Sequence, residues 1–221
     1  MRPPVLLVVA KAPVTGRVKT RLGRDVGMER AAGLAAAALL DTLAVCVAAY
    51  GLGRCHLALD GDLTQAEHAH RLLDATAGWA VHEQRGDDFG TRLVNAHEDA
   101  ASASGAPVVQ VGMDTPHLDA ATLVEAGSRL TGRDEAVIGP AADGGWWLLG
   151  VAGPHLLRHL AQVPMSKSDT GVLTRAALAR AGARVSEVET LRDVDEVGDA
   201  ETVAAAAPHS RFTRAYLQVP R

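Results

Sequence analysis

The stretch Ala106-Pro107-Val108-Val109-Gln110-Val111-Gly112-Met113-Asp114-Thr115-Pro116 limits the choice of fold more than any other. Its apolar, β-branched run predicts a strand buried on both faces, the habit of strands in a parallel sheet. The run stops at Gly112, and two residues later a lone carboxylate, Asp114, stands before a turn, because Pro116 cannot extend a ladder. A helical pattern begins at Asp119. Asp114 is thereby expected just beyond the carboxyl end of a central strand, where open α/β sheets bind ligands.

The remaining chain alternates in the same way. Strands are predicted at Val5–Ala10, Arg54–Asp60, Ala80–Gln84, Glu135–Pro140, Gly145–Val151 and Arg184–Glu189. Helices are predicted at Met28–Ala49, Thr64–Ala75, Thr91–Ala103, Asp119–Leu130, Pro154–Ala161, Thr170–Ala181 and Val197–Ala206, with Thr64 and Glu67 spaced as a capping box. The fold class is therefore α/β, a single domain with a mixed, mainly parallel sheet and helices on both faces. The strand pair around Ala141-Ala142-Asp143-Gly144 breaks the alternation, and residues after Pro208 show no periodicity.

A hydrophobic content of 48% in 221 residues supplies a large core, built from aliphatics and alanine because only 3% is aromatic. The net charge of −4 excludes a generally basic, nucleic-acid-binding surface. Cys46 and Cys55 read as buried free thiols, not as a disulfide or metal site. The apolar run ending at Ala10 is too short to span a membrane and no cleavage site follows it, so a cytoplasmic location is expected.

Against this acidic background, Lys11 to Arg24 holds five of the 22 basic residues and no acid: Lys11, Arg17, Lys19, Arg21 and Arg24. A turn at Gly16 lets backbone N–H groups approach a phosphate, while the cations neutralise its charge. The loop is not a Walker A motif, since Val18 stands where glycine should precede Lys19-Thr20. A solvated loop paired with the chain's acids is the alternative reading.

Asp114 could cap a turn or hold a metal. Asp195 could cap the helix from Val197, although Gly198 offers no capping-box partner, or join Asp114 as a ligand; Asp193, two residues away, is the alternative working residue. Two hard carboxylates from separate loops suit Mg²⁺ when phosphates and water complete its shell. The Asp143-Gly144-Gly145 turn precedes Trp146-Trp147, an allocation of two of seven aromatics to one place. Adjacent strand residues face opposite ways, so one indole is expected over the sheet and the other beside the pocket. His155 and His159 lack a third ligand, and His68 and His70 do not share a helix face.

The ordered set Lys11-Ala12-Pro13, Gly16-Arg17-Val18-Lys19-Thr20-Arg21-Leu22, Gln84 with Gly90-Thr91-Arg92-Leu93, Gly112-Met113-Asp114-Thr115-Pro116, Gly139 to Gly150 and Asp193-Val194-Asp195 resembles a bacterial group of GT-A-fold transferases named as glycosyltransferases. That group is similar to molybdenum-cofactor guanylyltransferase and 2-phospho-L-lactate guanylyltransferase. The resemblance spans Val5 to Ala206 and implies the Rossmann-like nucleotide-diphospho-sugar transferase fold over residues 1–206, with 207–221 as a tail. It implies that Lys11, Gly16, Arg17, Lys19 and Arg21 hold nucleotide phosphates and that Gln84 and Gly90 meet the base. Asp114 and Asp195 would bind Mg²⁺ or Mn²⁺, Lys19, Arg21 and Asp114 would be catalytic, and Asp143, Gly144 and Trp146 would border the substrate. Met165-Ser166-Lys167 departs from the tryptophan-serine-threonine of relatives, and Glu196-Val197-Gly198-Asp199 departs from their threonine-proline-glutamate-aspartate.

The expected activity is metal-dependent nucleotidyl transfer to a small phosphorylated acceptor with release of pyrophosphate. Glycosyl transfer from a nucleotide-diphospho-sugar is one alternative, and a nucleotide-binding module without turnover is another. The expected partners are a nucleoside triphosphate or nucleotide-sugar and a small-molecule acceptor, with neither nucleic acid nor membrane; a homodimer is left open.

Overall fold

The computed structural model describes residues 2–219. Seven strands, β1 (Val5–Lys11), β2 (Cys55–Asp60), β3 (Ala80–Glu83), β4 (Val108–Val111), β5 (Glu135–Pro140), β6 (Trp146–Val151) and β7 (Arg184–Glu187), form one sheet in the order β3-β2-β1-β4-β6-β5-β7. β6 runs antiparallel to both β4 and β5, and every other pairing is parallel. The strand leading to Asp114 is the fourth of the seven, as expected.

Among the described residues, eight α-helices accompany the sheet: α1 (Thr20–Val26), α2 (Met28–Tyr50), α3 (Ala69–Ala75), α4 (Phe89–Ser104), α5 (Ala120–Ser128), α6 (Thr170–Arg180), α7 (Val197–Ala206) and α8 (Arg211–Tyr216). One face of the sheet buries Leu6, Val8 and Val109 with Leu39, Leu43 and Leu123 of α2 and α5. The other buries Leu7, Val108 and Leu149 with Leu93 and Ala96 of α4 and Leu178 of α6. Helix α2 is apolar and long enough to cross a membrane by length and composition, but 72% of its apolar window is buried in the fold, where it is the core helix.

Several local expectations are corrected. Thr64 and Glu67 do not form a capping box: Asp62 accepts the Thr64 N–H at 2.8 Å, a 3₁₀ turn spans Leu63–Gln65, and the α-helix starts only at Ala69. The Glu67 carboxylate instead accepts from the Thr15 hydroxyl at 3.0 Å. The segment predicted as a helix over Pro154–Ala161 resolves into two 3₁₀ turns, Pro154–Leu157 and Leu160–Gln162. The described residues beyond Pro208 are organised: Phe212 of α8 is buried with Leu22, Leu34 and Val203, and the Asp41 carboxylate on α2 accepts the Arg211 and Phe212 backbone N–H groups at 3.1 and 2.9 Å.

Candidate functional site

The carboxyl ends of β1, β2 and β4 open into a cleft of about 590 Å³, a size suited to a small-molecule ligand. Lys11, Arg21, Asp60, Gln84, Arg92, Asp114, Asp143, Trp146, Lys167, Asp193 and Asp195 are among the residues that line it.

Backbone contacts bring the acids together. The Asp114 carbonyl accepts the Val194 N–H at 3.1 Å, which sets the loop after β4 beside the 193–195 segment. Ala141 bridges Leu191 in parallel, and the Ala142 N–H donates to the Leu191 carbonyl at 2.9 Å, which holds the same segment against the β5–β6 hairpin. The expected Asp195 helix cap is displaced by one residue. Glu196 is the N-cap of α7, and the Asp199 carboxylate accepts the backbone N–H groups of Asp195 at 3.2 Å and Glu196 at 3.1 Å. The Asp195 carboxylate is thereby released for the cleft.

Lys19 closes the arrangement. Val18 and Leu22 are buried and anchor the basic loop on either side, so Val18 serves as a packing residue where a Walker loop would need glycine. Lys19 is the N-cap of α1 in the left-handed conformation, φ 46° and ψ 43°. Its ammonium donates to Asp114 Oδ2 at 2.6 Å and to Asp195 Oδ1 at 2.7 Å. Burial by itself would push the ammonium pKa down; the two carboxylates outweigh it and hold Lys19 well above the usual lysine range. Burial likewise opposes ionisation of Asp195, and the Lys19 charge and hydrogen bond overcome it, leaving Asp195 below the usual carboxylate range. Asp193 lacks this contact. Burial, with Asp114, Asp143 and Asp195 nearby, pushes its carboxyl up to about 6.

Ligand atoms of Asp114, Asp193 and Asp195 lie within 4.8 Å of one another. Hard oxygen donors, two of them already sharing a cation in the Lys19 ammonium, fit Mg²⁺ or Mn²⁺. The acidic set thus has three members where Asp114 and Asp195 were expected; the i,i+2 spacing of Asp193 and Asp195 was the available signal.

The other expected site residues divide between cleft and support. Arg21 reaches within 3.8 Å of Asp195, and Lys11 within 3.7 Å of Asp60. The Gln84 amide nitrogen donates to the carbonyls of Ala10 at 2.9 Å and Ala58 at 3.0 Å. Gly16 (φ 76°) supplies a turn in which the Arg17 N–H donates to Val14, and both residues are exposed outside the cleft lining. Gly90 is also outside it: a Cβ there would lie 3.1 Å from Ala161 Cα and 3.2 Å from the Leu160 carbonyl, so its smallness seats α4 on that turn. Gly144 (φ 89°) fits against the Ser168 carbonyl, which an added Cβ would meet at 2.0 Å. Both indoles border the cleft, where one alone was expected: Trp146 donates to the Thr174 hydroxyl at 3.1 Å, and Trp147, largely buried over Gly139, donates to the Glu189 carbonyl at 3.0 Å. Asp60, Gln110, Arg92 and Lys167 line the cleft without having been expected there. Only tertiary pairing carries that information, as in the Arg92–Asp60 ion pair at 3.3 Å.

This architecture is the nucleotide-diphospho-sugar transferase fold. A protein from Desulfovibrio desulfuricans G20 designated a candidate nucleotide-diphospho-sugar transferase shares it at 28% identity, over 98% of this chain and 94% of that chain, with a TM-score of 0.79. A family model described as "Uncharacterized protein conserved in bacteria (DUF2064)" matches residues 42–167, and the chain belongs to that family. The fold also matches a cytidylyltransferase from Leptospira borgpetersenii serovar Hardjo-bovis (14% identity, 98% of this chain and 93% of that chain, TM-score 0.59). It matches Rv0371c from Mycobacterium tuberculosis H37Rv in complex with manganese (21% identity, 91% and 98%, TM-score 0.51). No protein of curated function matches the chain in sequence.

Proposed function

We propose that the protein is a metal-dependent transferase that moves a nucleotidyl group from a nucleoside triphosphate to a small phosphorylated acceptor. The observation that carries this reading is the Lys19 ammonium held at 2.6 and 2.7 Å between Asp114 and Asp195, which ties the cation-rich turn to two of the acids that line the cleft. An acceptor phosphate oxygen attacks the α-phosphorus, the bond from that phosphorus to the bridging oxygen breaks, and pyrophosphate leaves with the electron pair. Catalysis is then positioning and charge neutralisation, with no covalent enzyme intermediate.

Placement in or beside the cleft supports a role for each residue. Lys11, Lys19 and Arg21 neutralise the polyphosphate, with Lys19 and Arg21 facing the departing pyrophosphate. Asp114 and Asp195, with Asp193 beside them, hold Mg²⁺ or Mn²⁺, which when bound supplies further charge stabilisation to phosphate oxygens. Gln84 spends its amide N–H groups on two strand carbonyls, so its own carbonyl oxygen is fixed as the acceptor for a base donor. Asp143 and Trp146 border the acceptor side, with Gly144 shaping the hairpin behind them. The manganese complex of Rv0371c and the cytidylyltransferase on this fold support the metal and the nucleotide.

Glycosyl transfer is the second reading, favoured by the designation of the Desulfovibrio protein. In that case an acceptor hydroxyl attacks the anomeric carbon of a sugar-nucleotide bound by the same loop and acids. Calorimetric titration of CTP, GTP and UTP against UDP- and GDP-sugars, each with Mn²⁺, separates the two. Triphosphate binding with pyrophosphate release is expected. Sugar-nucleotide binding alone would transfer the assignment to the second reading, and binding of neither would end both.

A further inference from the structure

We infer that Lys19 makes the acidic trio selective for a metal–polyphosphate ligand over the bare divalent ion, an inference that rests on the proposed function. Its ammonium occupies the position between Asp114 and Asp195 that a shared cation would take, and its side chain is only 11% exposed. The two contacts, at 2.6 and 2.7 Å, come from loops 81 residues apart, so the bridge is made by tertiary structure and not by local chain geometry.

A divalent ion arriving alone must push the ammonium out of that position. Lys19 would then be a buried charge stripped of its partners, which costs far more than the loss of a surface ion pair. A polyphosphate changes this balance. Its oxygens offer the ammonium replacement acceptors, and the four-carbon stem lets the charge swing from carboxylate to phosphate without moving the loop anchored by Val18 and Leu22. Departure of the ammonium leaves Asp114 and Asp195 free for the metal. Nucleotide and metal are thereby coupled through one side chain, and the coupling is reciprocal. The backbone agrees: Lys19 sits at φ 46°, a region that side-chain-bearing residues adopt only when their surroundings impose it.

The test is Mn²⁺ binding, read from the EPR signal of the free ion, with no nucleotide present. Lys19→Met and Lys19→Gln are compared with wild type and Asp114→Asn. Removing the tethered cation is expected to tighten Mn²⁺ binding roughly tenfold or more, the usual span of such couplings, and Asp114→Asn to weaken it. Equal affinity in wild type and in a folded Lys19 variant, with Asp114→Asn still weakening it, would overturn the inference and leave the metal-dependent reading standing. No Mn²⁺ binding by any of the proteins would overturn both. Wild-type crystals soaked with Mn²⁺ and pyrophosphate provide a reading independent of variant folding. The Lys19 ammonium is expected beyond hydrogen-bond distance of Asp114, and its retention beside a bound ion would refute the selectivity.

Discussion

At the scale of single residues the site stores charge that the fold alone does not need. Asp193 titrates near 6, above the usual carboxylate value, so the folded chain binds that proton more tightly than the unfolded chain does. The sign follows from linkage: its contribution to stability is most favourable below about pH 4 and is lost as pH rises through about 6. Asp193→Asn is therefore expected to stabilise the protein by about 1–2 kcal/mol at pH 7.5, after allowance for solvent screening. Melting temperatures should show the gain at pH 7.5 and its disappearance near pH 4. Added Mn²⁺ should raise the melting temperature of wild type more than that of the variant. Asp114→Asn removes one of two Lys19 partners and one of the three acids; pyrophosphate release in the presence of Mn²⁺ is expected to fall about a hundredfold or more.

Among the elements, the C-terminal helix gives the sharpest expectation. Phe212 is fully buried between α1, α2 and α7, and Asp41 receives the start of α8. Phe212→Ala should cost about 3–5 kcal/mol and Asp41→Ala about 1–3 kcal/mol, both measured by denaturant unfolding. The same helix shows where sequence reading fails. Six residues are too few for the Phe212–Tyr216 spacing to stand out as a period, and the partners of Phe212 include Leu22 of α1, 190 residues earlier in the chain. Strands were legible for the opposite reason, since valine-rich runs such as Val108–Val111 need only local information. Asp114 could be placed because it follows such a run. Lys19 could be grouped with phosphate ligands by composition, but its contact with both acids depends on the backbone bond from Val194 to Asp114. The cap of α7 was misplaced by one residue because Asp199, not Gly198, takes the N-terminal N–H groups.

For the whole molecule, ligand binding and stability are linked. A triphosphate with Mn²⁺ at a hundred times its dissociation constant should add about 2.7 kcal/mol to unfolding, several degrees in a thermal melt, and EDTA should abolish the gain. The sheet also has a seam. β1, β2, β3, β4 and β5 run one way, and β6 returns against them between β4 and β5, so the hairpin 141–145 turns back at the ligand end. The basic turn and Gln84 belong to one side of that seam, and Asp143, Trp146 and Lys167 to the other. Under the proposed function, editing the hairpin and the segment around Lys167 would change the acceptor preference and leave the polyphosphate-binding residues untouched.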